Sequence, residues 1–135
     1  AVDMTSTGGS MQEFAEGYLL TAQGMAWFTA HYMADRAVDH LHASPFKAES
    51  LHGQPPAMVF TCGLDPLRDQ GRAYAARLIG HGVRTIFREA DGQIHGCMNL
   101  RQGIPSAQAD LHACLHDLRL LLDEAGERQL AQAAR

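Results

Sequence analysis

The clearest pattern along the chain is a continuous apolar run over residues 57–62, bounded by turn residues. Such a run predicts a strand that is buried on both faces. Residues 83–90 alternate between apolar and polar side chains and predict a second strand. Between them, apolar side chains at helical spacing predict a helix over residues 67–79, ended by Gly80-His81-Gly82. This order predicts two parallel strands joined by a right-handed crossover, and therefore an α/β fold.

Two further helices are predicted on the N-terminal side of this unit. Ser10 and Glu13 have the spacing of a capping box, which predicts a short helix over residues 11–17. Thr21 is a candidate N-cap for a second helix over residues 22–33. The Met and aromatic side chains of that helix recur at largely helical spacing, which favours a packing role over a ligand site.

The remaining segments carry weaker signals. Residues 1–5 are compatible with the tail of a strand, and residues 35–56 contain Gly and Pro breakers that predict an irregular crossing segment. Pro105 opens a final helix over residues 106–124, and the tail 125–135 either frays or continues that helix. The leucines predicted to share one face of this helix are Leu111, Leu115, Leu118 and Leu122.

Composition narrows the classes of function. With 135 residues, of which 46% are hydrophobic, the chain is long enough for one small globular domain over residues 1–135. Its net charge is −4 and its Lys and Arg are scattered, which argues against nucleic acid as a partner. No apolar stretch approaches the roughly 20 residues that span a bilayer, so no membrane span is expected. Three cysteines without a closely spaced pair favour a reducing, cytoplasmic setting.

Two polar residues stand out by their position. Asp65 comes just after the first strand, and His95 lies in a loop beyond an Asp91-Gly92 turn that follows the second. Because the carboxyl ends of parallel strands meet at one edge of a sheet, we expect the two side chains to lie close together. A carboxylate that accepts from one ring nitrogen of a histidine leaves the other nitrogen free to act as a general base. From position alone, a catalytic pair and two ordinary loop residues remain equally open interpretations.

The residues around this pair add a second argument. Residues 63–71 read GLDPLRDQG and residues 92–96 read GQIHG. These motifs at this spacing, with further similarity over about residues 1–122, resemble the hormone-sensitive-lipase-like esterases of the α/β-hydrolase fold. The resemblance implies the C-terminal part of that fold, with Asp65 and His95 as the acid and base of a Ser–Asp–His triad that cleaves carboxylic esters. It implies no cofactor and no metal.

Two motifs of that family are missing from the sequence, the nucleophile elbow G-x-S-x-G and the oxyanion stretch H-G-G-G. Both lie upstream of the matching segment in the family, so we expect the chain to begin after them and to be inactive in isolation. For the complete enzyme we expect a small ester substrate. The expected partner is the missing N-terminal fragment or a second copy of the chain. The alternative is a catalytically inactive, truncated hydrolase that serves as an interaction module or dimer.

Other chemically active side chains are weaker candidates. His112 and His116 are four residues apart on the last helix, but without a His-Glu-x-x-His motif we expect them to face solvent. Cys97 follows His95 by two residues, and we expect it to be a small buried side chain and not a nucleophile. Arg68 and Asp69 are expected to cap or pair with nearby groups.

Overall fold

The computed structural model describes residues 1–133, which form four α-helices and one two-stranded sheet. The helices are α1 (Ser10–Glu13), α2 (Ala22–Met33), α3 (Arg68–Gly80) and α4 (Ala107–Ala133). The strands are β1 (Ala57–Leu64) and β2 (Thr85–Ile94), and a single 3₁₀ turn lies at Pro45–Lys47. No helix among the described residues is both long enough and apolar enough to cross a membrane.

The two strands pair in parallel, with α3 as the crossover between them, and this confirms the predicted α/β fold. Their register is regular from the pair Ala57–Thr85 to the pair Cys62–Ala90. The next pair is Leu64–Ile94, so the three residues 91–93 of β2 face the single residue Gly63 of β1.

This bulge corrects the predicted end of the second strand. The Asp91-Gly92 pair was expected to form a turn after Ala90, whereas β2 continues through it to Ile94. The continuation is sterically allowed because Gly63 has no side chain. A Cβ atom at that position would lie 2.6 Å from the carbonyl carbon of Asp91.

Two hydrophobic clusters cover the two faces of the sheet. The first consists of Leu51, Leu78 and Val83, with Ala57 and Val59 of β1 packed against them. The second is built from Cys62, Cys97 and Ala107, together with Phe60, Met98 and Ile104. Because successive strand residues point to opposite faces, odd-numbered residues of β1 meet the first cluster and even-numbered residues meet the second. Burial is complete only over residues 61–63, so the prediction of a strand buried along its whole length is wrong for residues 57–60.

The N-terminal segment differs from expectation in two respects. Residues 1–5 form no strand; instead, the backbone N–H groups of Val2 and Asp3 donate to Oε1 of Gln70 on α3, at 2.7 and 3.0 Å. Helix α1 ends at Glu13 and not near Gly17, and Ser10 does not cap it. The Ser10 hydroxyl accepts from the N–H of Asp69 at 3.0 Å, while the Asp69 carboxylate accepts from the N–H of Ser10 at 2.8 Å.

Helix α2 has the bounds that the sequence predicts. Its N-cap is Thr21, whose hydroxyl accepts from the N–H of Gly24 at 2.9 Å. The large aromatic side chains of this helix are exposed, so they do not form part of the core of this chain. They are Trp27, Phe28 and Tyr32.

Helix α4 continues through the tail as far as Ala133, which is one of the two alternatives that the sequence left open. Of the leucines predicted to share one face, Leu111 is half-buried, and Leu115, Leu118 and Leu122 are exposed. The face that meets the sheet contains Ala107, Cys114 and Leu121, which recur every seven residues. The four leucines share one face, as predicted, but the sheet packs against a second stripe of the helix.

Candidate active site

Asp65 is held at the end of β1 by its own backbone and by α3. Its Oδ1 atom accepts from the N–H of Leu67 at 2.8 Å, and its carbonyl oxygen accepts from the N–H of Arg68 at 3.0 Å. Pro66 is fully buried, which fixes the direction in which the chain leaves the strand. The Asp65 side chain is only 7% exposed and can therefore adopt few other positions.

His95 is the first residue after β2. Gly96 follows with a φ of 74°, in the left-handed region that favours glycine, and the N–H of Cys97 donates to the carbonyl oxygen of Ile94 at 3.2 Å. This turn directs the ring of His95 towards Asp65 and leaves its side chain 43% exposed.

The predicted pair is present. Nδ1 of His95 and Oδ2 of Asp65 are 2.8 Å apart. An ionised carboxylate can only accept a hydrogen bond, so this contact places the ring proton of neutral His95 on Nδ1. The other ring nitrogen, Nε2, makes no hydrogen bond within the described residues and is available as a base.

Gly63 is the residue that sequence reasoning missed. From the pair Cys62–Ala90, a regular register would place Leu64 beside Gly92, two residues further along each strand. The bulge over Gly63 places Ile94 there instead, and so brings His95 level with Asp65. A buried glycine between an apolar run and an Asp-Pro pair is the signal that indicates such a close approach.

The pair opens onto a cleft of about 450 Å³. Apolar side chains dominate its walls, among them Val59, Phe60, Leu67 and Met98. A concave, mainly apolar site with one convergent pair of polar groups is typical of a small-molecule site.

Comparison with known proteins identifies the family. The model of a family described as having the α/β-hydrolase fold matches residues 1–99. The chain belongs to the α/β-hydrolase family. It is 40% identical over 102 residues to the carboxylic ester hydrolase LipN of Mycobacterium tuberculosis, covering 74% of this chain and 27% of that protein. It is 34% identical over 105 residues to an ethyl acetate hydrolase of Pseudomonas putida, covering 76% of this chain and 32% of that protein.

Solved structures agree with this α/β-hydrolase assignment. A mutant of LAE6, an α/β-hydrolase enzyme from the metagenome of Lake Arreo, superposes with a TM-score of 0.79 at 38% identity, over 84% of this chain and 36% of that chain. The thermophilic carboxylesterase EstE1, from a metagenomic library, superposes with a TM-score of 0.81 at 31% identity, over 89% of this chain and 42% of that chain. The resemblance to hormone-sensitive-lipase-like esterases is thus confirmed. The chain spans between about a quarter and two fifths of the length of these relatives.

Arg68 connects the segments around the Asp65 turn. Its guanidinium donates to the carbonyl oxygen of Gly63 at 3.1 Å, to Asp69 at 2.9 Å and to Glu13 at 2.8 Å. It also lies over the ring of Phe14 at 4.9 Å. The hydrogen bond from Arg68 lowers the pKa of Asp69 below its usual value, so Asp69 stays ionised and keeps its bond to Ser10. Arg68 and Asp69 pair with nearby groups as the sequence predicts.

Two buried cysteines lie next to His95, Cys62 on β1 and Cys97 in the turn after β2. Cys97 is 1% exposed, as expected for a buried side chain, and its Sγ atom is 3.6 Å from that of Cys62. Burial, and next the hydrogen bond to Cys97, raises the pKa of Cys62, so this thiol is protonated at neutral pH. His112 and His116 are exposed on α4, as expected.

Proposed function

We propose that this chain is the part of a carboxylic ester hydrolase that carries the acid and the base of a Ser–Asp–His triad, with Asp65 as the acid and His95 as the base. The observation that carries the proposal is the 2.8 Å contact between Asp65 Oδ2 and His95 Nδ1 at the mouth of an apolar cleft. The ester hydrolases among its relatives support the same reaction class.

In this mechanism, Nε2 of His95 takes the proton of a serine hydroxyl as its oxygen attacks the ester carbonyl carbon. Asp65 holds the proton on Nδ1 and stabilises the imidazolium that forms. His95 then returns the proton from Nε2 to the leaving alkoxide, which departs as the alcohol and leaves an acyl-enzyme. His95 then takes a proton from a water molecule, which attacks the acyl group and releases the carboxylic acid. The proton passes from Nε2 to the serine oxygen, so His95 and Asp65 return to their initial states.

The serine and the oxyanion hole come, in this proposal, from polypeptide outside these 135 residues. The sequence contains neither G-x-S-x-G nor H-G-G-G, and it matches only 27% of the length of LipN. The exposed apolar side chains of α2 and α4 give such a segment, or a second copy of this chain, surfaces on which to pack. We also propose a cytoplasmic setting, which the three free thiols support.

A chimera tests the catalytic roles. The 102-residue matching region of LipN is replaced by the corresponding residues of this chain, which keeps the remainder of LipN as the source of the nucleophile. We expect the chimera to hydrolyse p-nitrophenyl butyrate, and Asp65→Asn and His95→Ala to lower kcat by about 10⁴-fold each, as loss of a triad member does. The double variant should be little worse than either single one, because the two residues act as one unit.

The matched controls are Asp39→Asn and His52→Ala, two exposed positions in the crossing segment. Both should leave kcat within about twofold, since surface changes away from the site are close to neutral. An active chimera that tolerates His95→Ala would contradict the assignment. The isolated 135-residue chain should show no turnover above background, and robust turnover would point to another nucleophile, with Cys97 the first to replace.

A further inference from the structure

Cys62 and Cys97 form a pair of thiols that the proposed mechanism does not use. They come from different elements, Cys62 from β1 and Cys97 from the turn after β2, and their sulfur atoms are 3.6 Å apart. Both belong to the same buried cluster, in which Phe60, Met98 and Ile104 surround them. They differ in this from Cys114, which lies on α4 against Met58.

The two thiols are positioned for chemistry as well as for packing. Both also line the cleft on which His95 opens, and although Cys62 is only 5% and Cys97 only 1% exposed, this wall of the cleft is the side from which a small oxidant approaches them. A disulfide needs the sulfur atoms about 2.05 Å apart, which is roughly 1.5 Å closer than they are here. Cys97 directly follows Gly96, which has a φ of 74° and, as a glycine, can adopt more backbone conformations than any other residue type.

We propose that Cys62 and Cys97 are a redox-sensitive dithiol, which a hydroperoxide converts to an intramolecular disulfide that displaces His95. Cys97, after losing its proton, attacks the peroxide oxygen as a thiolate, breaks the O–O bond and becomes a sulfenic acid, with release of water from hydrogen peroxide. The thiol of Cys62 then attacks that sulfur, its proton leaves with the hydroxyl group, and a second water is released. The two sulfurs together lose two electrons and the peroxide gains them. A small dithiol reverses the step by thiol–disulfide exchange.

The consequence for the site follows from the position of Cys97. It lies two residues after His95, in the turn that sets the 2.8 Å contact with Asp65. The sulfur atoms must approach by about 1.5 Å, and any part of this that the backbone of Cys97 supplies moves the turn that carries His95, where about 1 Å is enough to impair catalysis. Oxidation is therefore expected to weaken the Asp65–His95 pair while the fold stays intact.

Peptide mapping tests the disulfide directly on the 135-residue chain. The three cysteines fall in three different tryptic peptides, residues 48–68, 89–101 and 102–119. After treatment with hydrogen peroxide and digestion without reductant, we expect 48–68 linked to 89–101, with the thiol of 102–119 still free and the link lost in dithiothreitol. A predominant link to 102–119, or two unlinked thiols at Cys62 and Cys97 after prolonged treatment, would overturn the proposal.

Variants and a spectroscopic measurement complete the test. Cys114→Ser is the matched control and should keep the 48–68 to 89–101 link, whereas Cys97→Ala should abolish it. If Cys97→Ala fails to fold, the peptide map of the wild-type chain still tests whether the disulfide forms. In the NMR spectrum, the ring resonances of His95 should shift on oxidation and return on reduction, and unchanged resonances in a chain shown to be linked would overturn the displacement of His95.

The effect on catalysis rests on the proposed function and is measured separately, in the LipN chimera. We expect kcat to fall by about 100-fold on oxidation, to recover with dithiothreitol, and to be insensitive to peroxide in the Cys97→Ala chimera. A mapped disulfide with unchanged kcat would overturn the proposal that the disulfide lowers catalytic activity. A reduced chimera without any activity would count against the proposed triad instead, and would leave the peptide map as the test of the dithiol.

Discussion

At the scale of single residues, the geometry of the site depends on Gly63 as much as on the two polar side chains. The bulge of β2 folds over this buried glycine, and the shift in register that it produces places His95 beside Asp65. The carbonyl oxygen of Gly63 also accepts from Arg68, so the position is fixed from both sides. A residue without a reactive side chain therefore determines whether Asp65 and His95 meet.

Gly63→Ala should disrupt this arrangement. The new Cβ would lie 2.6 Å from the carbonyl carbon of Asp91, a backbone atom that cannot rotate away. We expect the free energy of unfolding, measured by urea denaturation, to fall by about 3 kcal/mol, at the upper end for an overpacked site. The His95 ring resonances should also lose their dependence on Asp65→Asn. Gly8→Ala is the control, because nothing lies within 4 Å of a Cβ there, and it should change stability by less than about 0.5 kcal/mol. Equal stabilities of the two variants would contradict this account.

At the scale of elements, the sequence predicted the features that depend on neighbouring residues and missed those that depend on residues far away along the chain. Helix α2 has its predicted bounds because Thr21 caps it from an adjacent position. The end of β2 was missed because Asp91-Gly92 has the composition of a turn, and only Gly63, 28 residues earlier, allows the strand to continue. The role of Ser10 was missed for the same reason, since its partner Asp69 lies 59 residues away.

Helix α4 shows a different limit of sequence reasoning. It has two apolar stripes, and the leucine stripe is the more hydrophobic of the two. The sheet nevertheless packs against the stripe that contains Asp117, whose carboxylate accepts from Arg88 of β2 at 2.7 Å. Periodicity predicted the helix, but the choice between its faces depends on which partners the sheet offers.

Glu89 makes the stability of the packing between β1, β2 and α3 depend on pH. It links β2 to α3 through Arg72, at 2.8 Å from Nε, and to β1 through the hydroxyl of Thr61 at 2.9 Å. The hydrogen bond from Arg72 and next that from Thr61 lower the pKa of Glu89 below its ordinary value of 4.5. Since the folded state binds this proton less readily, its contribution is fully present above pH 4.5 and is lost as the pH falls through the lowered pKa.

We therefore expect Glu89→Gln to be less stable than the wild type by about 1 kcal/mol at pH 6, the upper range for a partly exposed ion pair. As the pH falls below 4.5 the difference should shrink, because the unfolded wild type then binds a proton that the folded state binds only at lower pH. Urea denaturation at a series of pH values measures this. Glu49→Gln, at an exposed position, is the control and should follow the wild type throughout. A difference that stays constant down to pH 3 would show that Glu89 acts through packing and not through charge.

At the scale of the whole molecule, the described residues place the Asp65–His95 pair at the end of a sheet of only two strands. Each strand pairs on one side only, and the chain matches 36% of the length of the LAE6 structure. Large apolar side chains are exposed on two separate helices, at Trp27, Phe28 and Tyr32 of α2 and at Leu115, Leu118 and Leu122 of α4. Exposed apolar patches of this kind, together with unpaired strand edges, favour association.

We expect the purified chain to associate, and its mass from light scattering to rise above 14.7 kDa at concentrations of tens of micromolar. Replacing Leu115, Leu118 and Leu122 by Gln removes the α4 patch and should shift the chain towards the monomer if this patch joins two copies. Leu130→Gln is the control on the same helix, at an exposed position outside the patch.

Adding the part of LipN that precedes its matching region separates the two proposed partners. If that fragment binds, it should compete with self-association, and the mixture should acquire esterase activity that depends on His95. A chain that remains monomeric at every concentration and binds no fragment would show that its exposed apolar faces need no partner.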